Sequence, residues 1–290
     1  MQPEVAAFFH ASTSTWSYIV RDADSAAAAI IDPVLDFDPA SGRISTASAG
    51  KLLEHLRQHA LEPKWILETH VHADHLTAAA WLKRHTGARV AIGARVVEVQ
   101  RTFKALLNLD AAFVADGSQF DLLLADGDTL PLGALEVEAI ATCGHTPDGM
   151  SYRIGDAVFI GDTLFAPELG SARCDFPGGD AAALYASVQR LYALPDDTRA
   201  FLCHDYPKEG ESPRAQTTIA DQRRSNKHIG RETSEAQFVA MRQARDASLP
   251  VPKLLWPALQ VNIRAGHLPP AEDNGRSYLK LPLDVASGEF

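Results

Sequence analysis

Residues that can bind a metal ion are concentrated between His70 and His75, within the segment ETHVHADH. Three histidines and Asp74 fall inside those six positions. Imidazole nitrogens and carboxylate oxygens suit zinc, iron or manganese, and no cysteine is present in the segment to form a soft thiolate site. A turn that leaves a strand can direct several such side chains into one pocket. The segment therefore predicts a metal centre with nitrogen and oxygen ligands.

Three further candidate ligands follow apolar, strand-like segments elsewhere in the chain. His145 follows EAIATCG, Asp162 follows AVFIG, and His204 follows RAFLC, just as His70 follows WILET. Strand ends feed the loops at one rim of a sheet, where sites are built on a rigid scaffold. These four positions, although distant in sequence, are expected to converge in space.

The elements that would position these residues alternate between strands and helices in two similar halves. In the first half we interpret TWSYIVRD, AAAAIIDP, PKWILETH and ARVAIG as strands, and SAGKLLEHLRQHAL, LTAAAWLKRHTG and RVVEVQRTFKALLN as helices. In the second half ALEVEAIATCGHT, GMSYRIG, DAVFIGDT and TRAFLCHD are strand-like, and GDAAALYASVQRLYAL is helical. This alternation predicts an α/β fold in which helices cover sheets.

The chain changes character near residue 216, where helical segments with proline-rich breaks begin. These segments are TTIADQRRSNKHIG, TSEAQFVAMRQARDASL and LLWPALQVNIRAG. We predict a catalytic core over residues 1–215 and a helical extension over residues 216–290 that packs on the core.

Composition excludes several classes of partner. The net charge of −10 argues against nucleic acid. No apolar stretch approaches the ~20 residues of a membrane helix, so no membrane is expected. The first residues lack a basic leader followed by an apolar run, so a cytoplasmic location is expected. Three cysteines without a CxxC motif argue against a disulfide framework, and we interpret them as small buried apolar residues.

Four segments carry a resemblance to a known family. THVHADH, GHTPDGMSY, GDTLF and CHDY resemble the metallo-β-lactamase superfamily and, within it, the glyoxalase II branch. The similarity covers roughly residues 10 to 230. It implies an αββα sandwich of two pseudo-repeated halves, here with a C-terminal helical extension.

A narrower resemblance follows Asp162. The segment APELGSARCDFPGG contains an Arg-x-Asp-Phe element similar to that of persulfide dioxygenases, the type lost in human ethylmalonic encephalopathy. The early segment FFHASTSTWSYIV is also similar to that family. Many members have Gly-Cys-Gly-Arg where this chain has Gly170-Ser171-Ala172-Arg173. A role for that cysteine is therefore not carried over, and a bacterial-type subgroup is indicated.

The resemblance implies one Fe(II) ion per chain, held by His70, His145 and Asp162, which would also be the catalytic residues. Two histidines and one carboxylate on one face leave open positions, as in non-haem iron oxygenases. Four residues match metal-binding positions of dinuclear relatives and are expected here to surround the ligands and orient them: His72, Asp74, His75 and His204. Because every dinuclear ligand type is present, a two-zinc hydrolase remains an alternative.

The activity implied by the resemblance is oxidation of glutathione persulfide by O₂ and water to sulfite and glutathione, an oxidoreductase reaction of sulfide oxidation. The alternative is a glyoxalase II-type hydrolase of glutathione thioesters with a dinuclear zinc site. A protein that only binds persulfides or carries sulfur is a third class, which the intact ligand set disfavours. Whether the chain also pairs as a homodimer is left open.

Glutathione carries two carboxylates and an ammonium, so its pocket should offer cations and hydrogen-bond donors. Arg173 is the first candidate, with a surface salt bridge as the alternative and Asp175 as a residue that would fix it. Tyr206 is similar to a tyrosine that contacts glutathione in glyoxalase II relatives. The remaining candidates lie on the first extension helix, which is alternatively only a solvated face: Arg223, Arg224, Asn226 and Lys227. Residues 223 and 227, and likewise 223 and 226, are expected to share one helical face.

Overall fold

Two six-stranded sheets form the centre of the structure, a computed structural model that describes residues 2–283. The strands are β1 Glu4–His10, β2 Thr15–Arg21, β3 Ala27–Ile31, β4 Val34–Asp38, β5 Arg43–Ser45, β6 Glu62–Leu67, β7 Leu76–Thr77, β8 Arg89–Gly93, β9 Leu122–Leu124, β10 Thr129–Leu132, β11 Leu135–Ala141, β12 Met150–Ile154, β13 Ala157–Phe159, β14 Arg199–Phe201 and β15 Gln216–Thr218. The helices are α1 Ala47–Gln58, α2 Ala79–Thr86, α3 Val96–Leu106, α4 Ala181–Tyr192, α5 Ile219–Ser225, α6 Glu235–Asp246 and α7 Leu255–Asn262.

The two sheets use parallel strands where they face the candidate ligands. The first sheet has the order β1-β2-β3-β6-β8-β9, and its last four strands are parallel. The second has the order β10-β11-β12-β13-β14-β15, in which β13 and β14 form the parallel pair. A small third sheet joins β5, β4 and β7. Parallel neighbours end at the same edge, so the loops after β13 and β14 start together in the second sheet, as do those after β6 and β8 in the first.

Three apolar clusters show that the layers are arranged as α, β, β and α. One face of the first sheet packs on α1, α2, α3 and α7 through residues such as Ile30 and Leu52. Its other face meets the second sheet, where Tyr18 and Tyr152 are buried. The far face of the second sheet packs on α4, α5 and α6, with Phe238 of α6 buried in that cluster. Each sheet therefore buries apolar residues on both faces, which confirms the predicted αββα sandwich.

Local sequence signals explain where several helices begin and end. The Asp180 side chain accepts a hydrogen bond from the Ala183 amide at the start of α4. Ser234 and Gln237 form a capping box at the start of α6. Gly87 ends α2 with a left-handed φ of 75°.

The predicted extension departs from a purely helical chain. Strand β15 precedes α5 and pairs with β14, so the second sheet continues past residue 215. No helix follows α7 within the described residues, which stop at residue 283. Residue 1 of the predicted core and residues 284–290 of the predicted extension lie outside the described part of the chain. The division at residue 215 stays a prediction.

Membrane insertion of a helix finds no support between residues 2 and 283. None of the helices described there is both long enough and apolar enough to cross a bilayer.

The contact of Tyr18 with the second half of the chain is expected to stabilise the sandwich. Its hydroxyl lies 2.5 Å from the Leu202 carbonyl oxygen and 2.9 Å from that of Ala215. Tyr18→Phe leaves buried carbonyls without this donor, so the free energy of unfolding should fall by about 1 to 3 kcal/mol. Urea unfolding measures the loss. The control is Tyr185→Phe, which removes a partly exposed bond to Thr233 and should cost less; equal losses would contradict the prediction.

Candidate metal centre

The candidate ligands lie in loops that leave the strands at one edge of the sandwich. Strand β6 ends at Leu67, three residues before His70. Strands β13 and β14 end three residues before Asp162 and His204, respectively, and β11 ends four residues before His145. The structure brings these side chains together around one buried pocket.

The first group consists of His70, His145 and Asp162, whose ligand atoms all lie within 4.8 Å of one another. His145 Nε2 is 3.6 Å from Asp162 Oδ2. His70 Nε2 and Asp162 Oδ1 are buried without a hydrogen-bond partner among the described residues. Buried polar atoms are seldom left in this state, so the group fits a metal ion.

The second group lies directly beside the first. Ligand atoms of His72, Asp74 and His75 are within 4.8 Å of one another. His204 Nε2 lies 3.5 Å from Asp74 Oδ2 and 3.3 Å from Asp162 Oδ1. All seven residues therefore form one pocket, and Asp162 stands between its two parts.

Every histidine of the pocket has one ring nitrogen in contact with protein oxygen. The Nδ1 atoms of His70, His145 and His204 contact Thr69 Oγ1 at 3.1 Å, the Arg173 carbonyl at 2.7 Å and the Ser14 carbonyl at 3.1 Å, respectively. His75 Nδ1 is 3.3 Å from Asp74 Oδ2, and His72 Nε2 is 3.0 Å from Asp32 Oδ1. The opposite nitrogens of His70, His72, His75 and His204 form no hydrogen bond in the described structure. This arrangement orients imidazoles for a metal.

Burial sets the charge of the pocket. Burial, together with neighbouring imidazoles, lowers the pKa of His70 and of His72 well below the ordinary value, so both rings are neutral and offer lone pairs. Burial opposes the charge on Asp74, but His204 and His75 outweigh it and hold the pKa of this carboxyl well below its usual range. Two neutral imidazoles beside an anionic carboxylate suit a divalent cation.

Asp32, which sequence reasoning missed, supports the loop after β6. Its carboxylate accepts hydrogen bonds from the Thr69 amide at 2.7 Å and the Thr69 hydroxyl at 2.9 Å, and it contacts His72. The residue has a left-handed φ of 47° just after β3. An acidic residue after the apolar segment AAAAII is the same strand-end signal that marked His70, so the sequence offered this clue.

Asn262, also missed, ties α7 to the same loop. Its side-chain amide donates to the carbonyls of His72 and His75 at 2.8 Å each, and its Oδ1 accepts from the Thr77 amide at 2.8 Å. Nothing local to its sequence indicates this role, because the partners lie almost two hundred residues away.

The predicted substrate residues near the pocket are Arg173 and Tyr206. Arg173 donates to both carboxylate oxygens of Asp175 at 2.5 Å and to the Pro250 carbonyl at 2.8 Å, so Asp175 does fix it in place. Tyr206 is 53% exposed, and its ring centre lies 6.1 Å from that of His204 in a nearly parallel orientation. Tyr206 therefore lies at the mouth of the pocket.

The basic segment after β15 is arranged differently from the prediction. Helix α5 ends at Ser225, and Asn226 adopts an extended conformation. The expectation that residues 223 and 227, or 223 and 226, share a helical face is wrong for that reason. Arg223 pairs with Asp196, and Arg224 with Asp221.

The last two members of the segment differ in burial. The Asn226 side chain is buried and donates to the Gly170 carbonyl at 3.1 Å. Lys227 is exposed. Glutathione binding by Arg223, Arg224, Asn226 and Lys227 stays a prediction.

The chain belongs to the metallo-beta-lactamase superfamily, whose family model matches residues 12–204. The matched region contains all seven residues of the pocket. The particular relatives fall into two groups by their names.

Several relatives carry hydrolase-type names. A "Probable metallo-hydrolase" of Burkholderia pseudomallei (strain 1710b) is 51% identical over 291 residues, covering 97% of this chain and 99% of that protein. "Glyoxylase B2" of Dictyostelium discoideum is 47% identical over 283 residues, covering 97% of each. A "Beta-lactamase hydrolase-like protein" of Agrobacterium fabrum is 48% identical over 99% of this chain, which spans 66% of that protein's length.

Others are named as dioxygenases. The human mitochondrial "Persulfide dioxygenase ETHE1" is 27% identical over 261 residues, covering 89% of this chain and 87% of that protein. The crystal structure of ETHE1 from Myxococcus xanthus is similar with a TM-score of 0.72 and 31% identity, covering 91% of this chain and 100% of that chain.

The support that Asp32 gives to His72 and Thr69 is expected to tune metal affinity. Asp32→Asn keeps the size of the side chain but removes the anionic acceptor, so affinity should fall by about 10- to 100-fold. Competition between the protein and a chelator for Zn(II) or Co(II) measures the change. Asp22→Asn is the control, because Asp22 accepts from the Ala134 amide at 2.8 Å in a turn outside the pocket. An affinity equal to that of the control would contradict the prediction.

Proposed function

We propose that the chain is a persulfide dioxygenase that oxidises glutathione persulfide at a single Fe(II) ion held by His70, His145 and Asp162. The observation that carries the proposal is the position of the Arg173–Phe176 element, which the sequence shares with such enzymes. The Arg173 carbonyl lies 2.7 Å from His145 Nδ1, and the Phe176 ring centre lies 6.3 Å from that of His145. The dioxygenase-type element thus contacts a proposed ligand directly.

The proposed reaction balances as glutathione persulfide plus O₂ plus water giving glutathione and sulfurous acid, which ionises to sulfite. The outer sulfur is oxidised, and O₂ is reduced. A ferrous ion held by these residues would supply the one-electron redox chemistry that lets O₂ react with a closed-shell sulfur anion, while the sulfur itself provides the electrons that reduce O₂.

The residues of the chain hold this site in shape. Arg173, through its carbonyl, orients His145, and Thr69 contacts the outer nitrogen of His70. Asp162 supplies the negative charge of the three-residue group. Phe165, whose ring centre lies 6.0 Å from that of His204, and Tyr206 flank the second group.

Glutathione itself is proposed to bind at the mouth of the pocket. Tyr206 presents an exposed ring there. Arg173 is 21% exposed at its side chain, and its charge is balanced by Asp175. We therefore propose that Arg173 acts mainly as a hydrogen-bond donor to the peptide part of the substrate, rather than as an isolated cation.

The alternative function, hydrolysis of glutathione thioesters at a dinuclear zinc site, is favoured by a specific observation. Asp74, His75 and His204 cluster beside the first group, and Nε2 of both histidines forms no hydrogen bond in the described structure. The relatives with hydrolase-type names also support it. In this alternative Asp162 would serve both groups, since its carboxylate oxygens lie near His145 and near His204.

Metal content and oxygen consumption separate the two functions. The protein is purified without oxygen, its metals are quantified, and glutathione persulfide is added in an oxygen-electrode cell. We expect about one iron per chain and one O₂ consumed per sulfite formed. Two zincs per chain, cleavage of a glutathione thioester and no oxygen uptake would establish the hydrolase instead.

Paired substitutions test the assignment of ligands. Asp162→Ala removes the carboxylate of the first group, so iron and oxygen uptake should be lost together. Asp74→Ala should keep the iron and a large part of the oxygen uptake, because Asp74 belongs to the second group. Asp156→Ala, which removes a surface partner of Arg199, is the control. Equal loss of activity in Asp74→Ala and Asp162→Ala would show that both groups hold metal.

The role of Arg173 is tested by steady-state kinetics. Arg173→Ala should raise KM for glutathione persulfide by about tenfold or more, with a smaller effect on kcat, since one charge-assisted hydrogen bond is lost. Arg223→Ala is the comparison, because Arg223 is engaged with Asp196 and the Tyr192 carbonyl. Kinetics equal to those of the parent would remove Arg173 from the substrate site.

A further inference from the structure

We infer that three side chains from the last third of the chain, His228, Arg242 and Asp246, position the proposed ligand His145 by holding the segment Ser171–Cys174. We call these three residues the extension clamp. The inference rests on the proposed metal centre, but it adds positioning residues that the sequence motifs do not indicate.

Two members of the clamp form a buried ion pair on α6. Arg242 and Asp246 are four residues apart, are 2% and 7% exposed, and bond at 2.5 Å. Replacing a buried ion pair by apolar residues is often neutral or stabilising, so stability alone does not account for this pair. Its contacts with the neighbouring loop suggest a positional role.

The clamp binds the backbone of the segment at three points. Arg242 donates to the Ser171 carbonyl at 3.1 Å, and the Cys174 amide donates to Asp246 Oδ2 at 2.8 Å. The Ser171 amide donates to His228 Nδ1 at 2.9 Å. Between these anchored residues lies Arg173, whose carbonyl contacts His145 Nδ1.

The segment has little else to hold its backbone. Residues 172–174 belong to no helix or strand, and Ser171 forms only an isolated bridge with Leu164. Gly170, with a φ of 96°, lies so close to the His228 ring that an added Cβ would stand 2.2 Å from Nδ1. The ring therefore packs directly on the glycine backbone, which removes freedom from the segment.

The clamp also gives a physical account of the unusual sequence Gly170-Ser171-Ala172-Arg173. Ser171 Oγ lies 3.3 Å from His228 Nδ1 and 3.4 Å from the Arg242 guanidinium. A hydroxyl makes stronger hydrogen bonds than a thiol at such a place. Serine in place of the usual cysteine thus fits the clamp.

The consequence for His145 follows from the two nitrogens of its ring. Donation from Nδ1–H to the Arg173 carbonyl fixes the tautomer and leaves the Nε2 lone pair facing Asp162. If the segment shifted, the ring would lose this partner, and Nε2 would no longer be held in place. The extension clamp therefore acts on the metal through Arg173 and His145.

The test compares metal affinity with folding stability in variants of the full chain. Arg242→Met removes the ion pair and the bond to Ser171, and Asp246→Asn, a milder change, weakens the bond to Cys174. Both should lower Co(II) affinity by about 10- to 100-fold in chelator competition. Phe238→Leu, on the same helix and fully buried, is the matched control that should lower the melting temperature but keep the affinity. The inference is wrong if Co(II) affinity falls in proportion to the melting temperature in all three variants, including the control.

The tautomer of His145 and the Co(II) affinity of Arg242→Lys test the clamp independently of stability. Nitrogen NMR of the metal-free protein should show His145 protonated at Nδ1 in the parent, with mixed tautomers in Asp246→Asn; an unchanged tautomer counts against the clamp. Arg242→Lys keeps a cation beside Asp246, so its Co(II) affinity should be higher than that of Arg242→Met. Equal Co(II) affinities of these two variants would contradict a role for the ion pair between residues 242 and 246. If the parent binds no Co(II), the proposed metal centre fails; if parent and variants bind equally, only the clamp fails.

Discussion

The pocket depends on one constraint, which is that each of five histidines contacts protein oxygen through one ring nitrogen. The opposite nitrogens lie in the interior, and four of them form no hydrogen bond within the described residues. Burial lowers the pKa of His70 and His72, so these rings remain neutral and do not repel a cation. A buried imidazole whose lone pair has no partner lowers the stability of the fold unless a ligand binds it. The four such imidazoles therefore indicate a metal site.

That constraint is met by parts of the chain that are far apart in sequence. Strand β6 of the first sheet and strands β13 and β14 of the second deliver His70, Asp162 and His204 to one pocket. The outer contacts come from other elements, including Asp32 after β3 and Asn262 of α7. The helices after residue 216 thus stabilise the loops of the pocket as well as the outer face of the second sheet. Removing α6 or α7 would disturb ligands that lie in the first part of the chain.

The sequence predicted the parts of the fold that depend on local patterns. Apolar segments ended near His70, His145, Asp162 and His204, and the αββα sandwich followed from a family resemblance. Short strands such as β5, β7 and β15 carry too few residues for a periodic signal, and they form because neighbouring strands offer hydrogen-bond partners.

Other features were beyond the reach of sequence patterns because they depend on tertiary contacts. The helical period across residues 223 and 227 failed because Asn226 turns out of the helix to bond with Gly170. A sequence pattern can indicate the ligands of a site. It does not indicate a supporting residue such as Asn262, which reaches the ligand loop only through the packing of α7.

The position of Asp162 links the number of metal ions to the class of reaction. Its two carboxylate oxygens face different sides, with Oδ2 near His145 and Oδ1 near His204. With one divalent cation in the first group, Asp162 alone offsets its charge there, and the remaining positive charge attracts an anionic sulfur such as a persulfide. With two cations, Asp74 and Asp162 would share the compensation, and the ions would supply the activated water that a hydrolase requires. The same side chains thus serve either chemistry, and occupancy of the group around Asp74 and His204 decides which one the proposed centre performs.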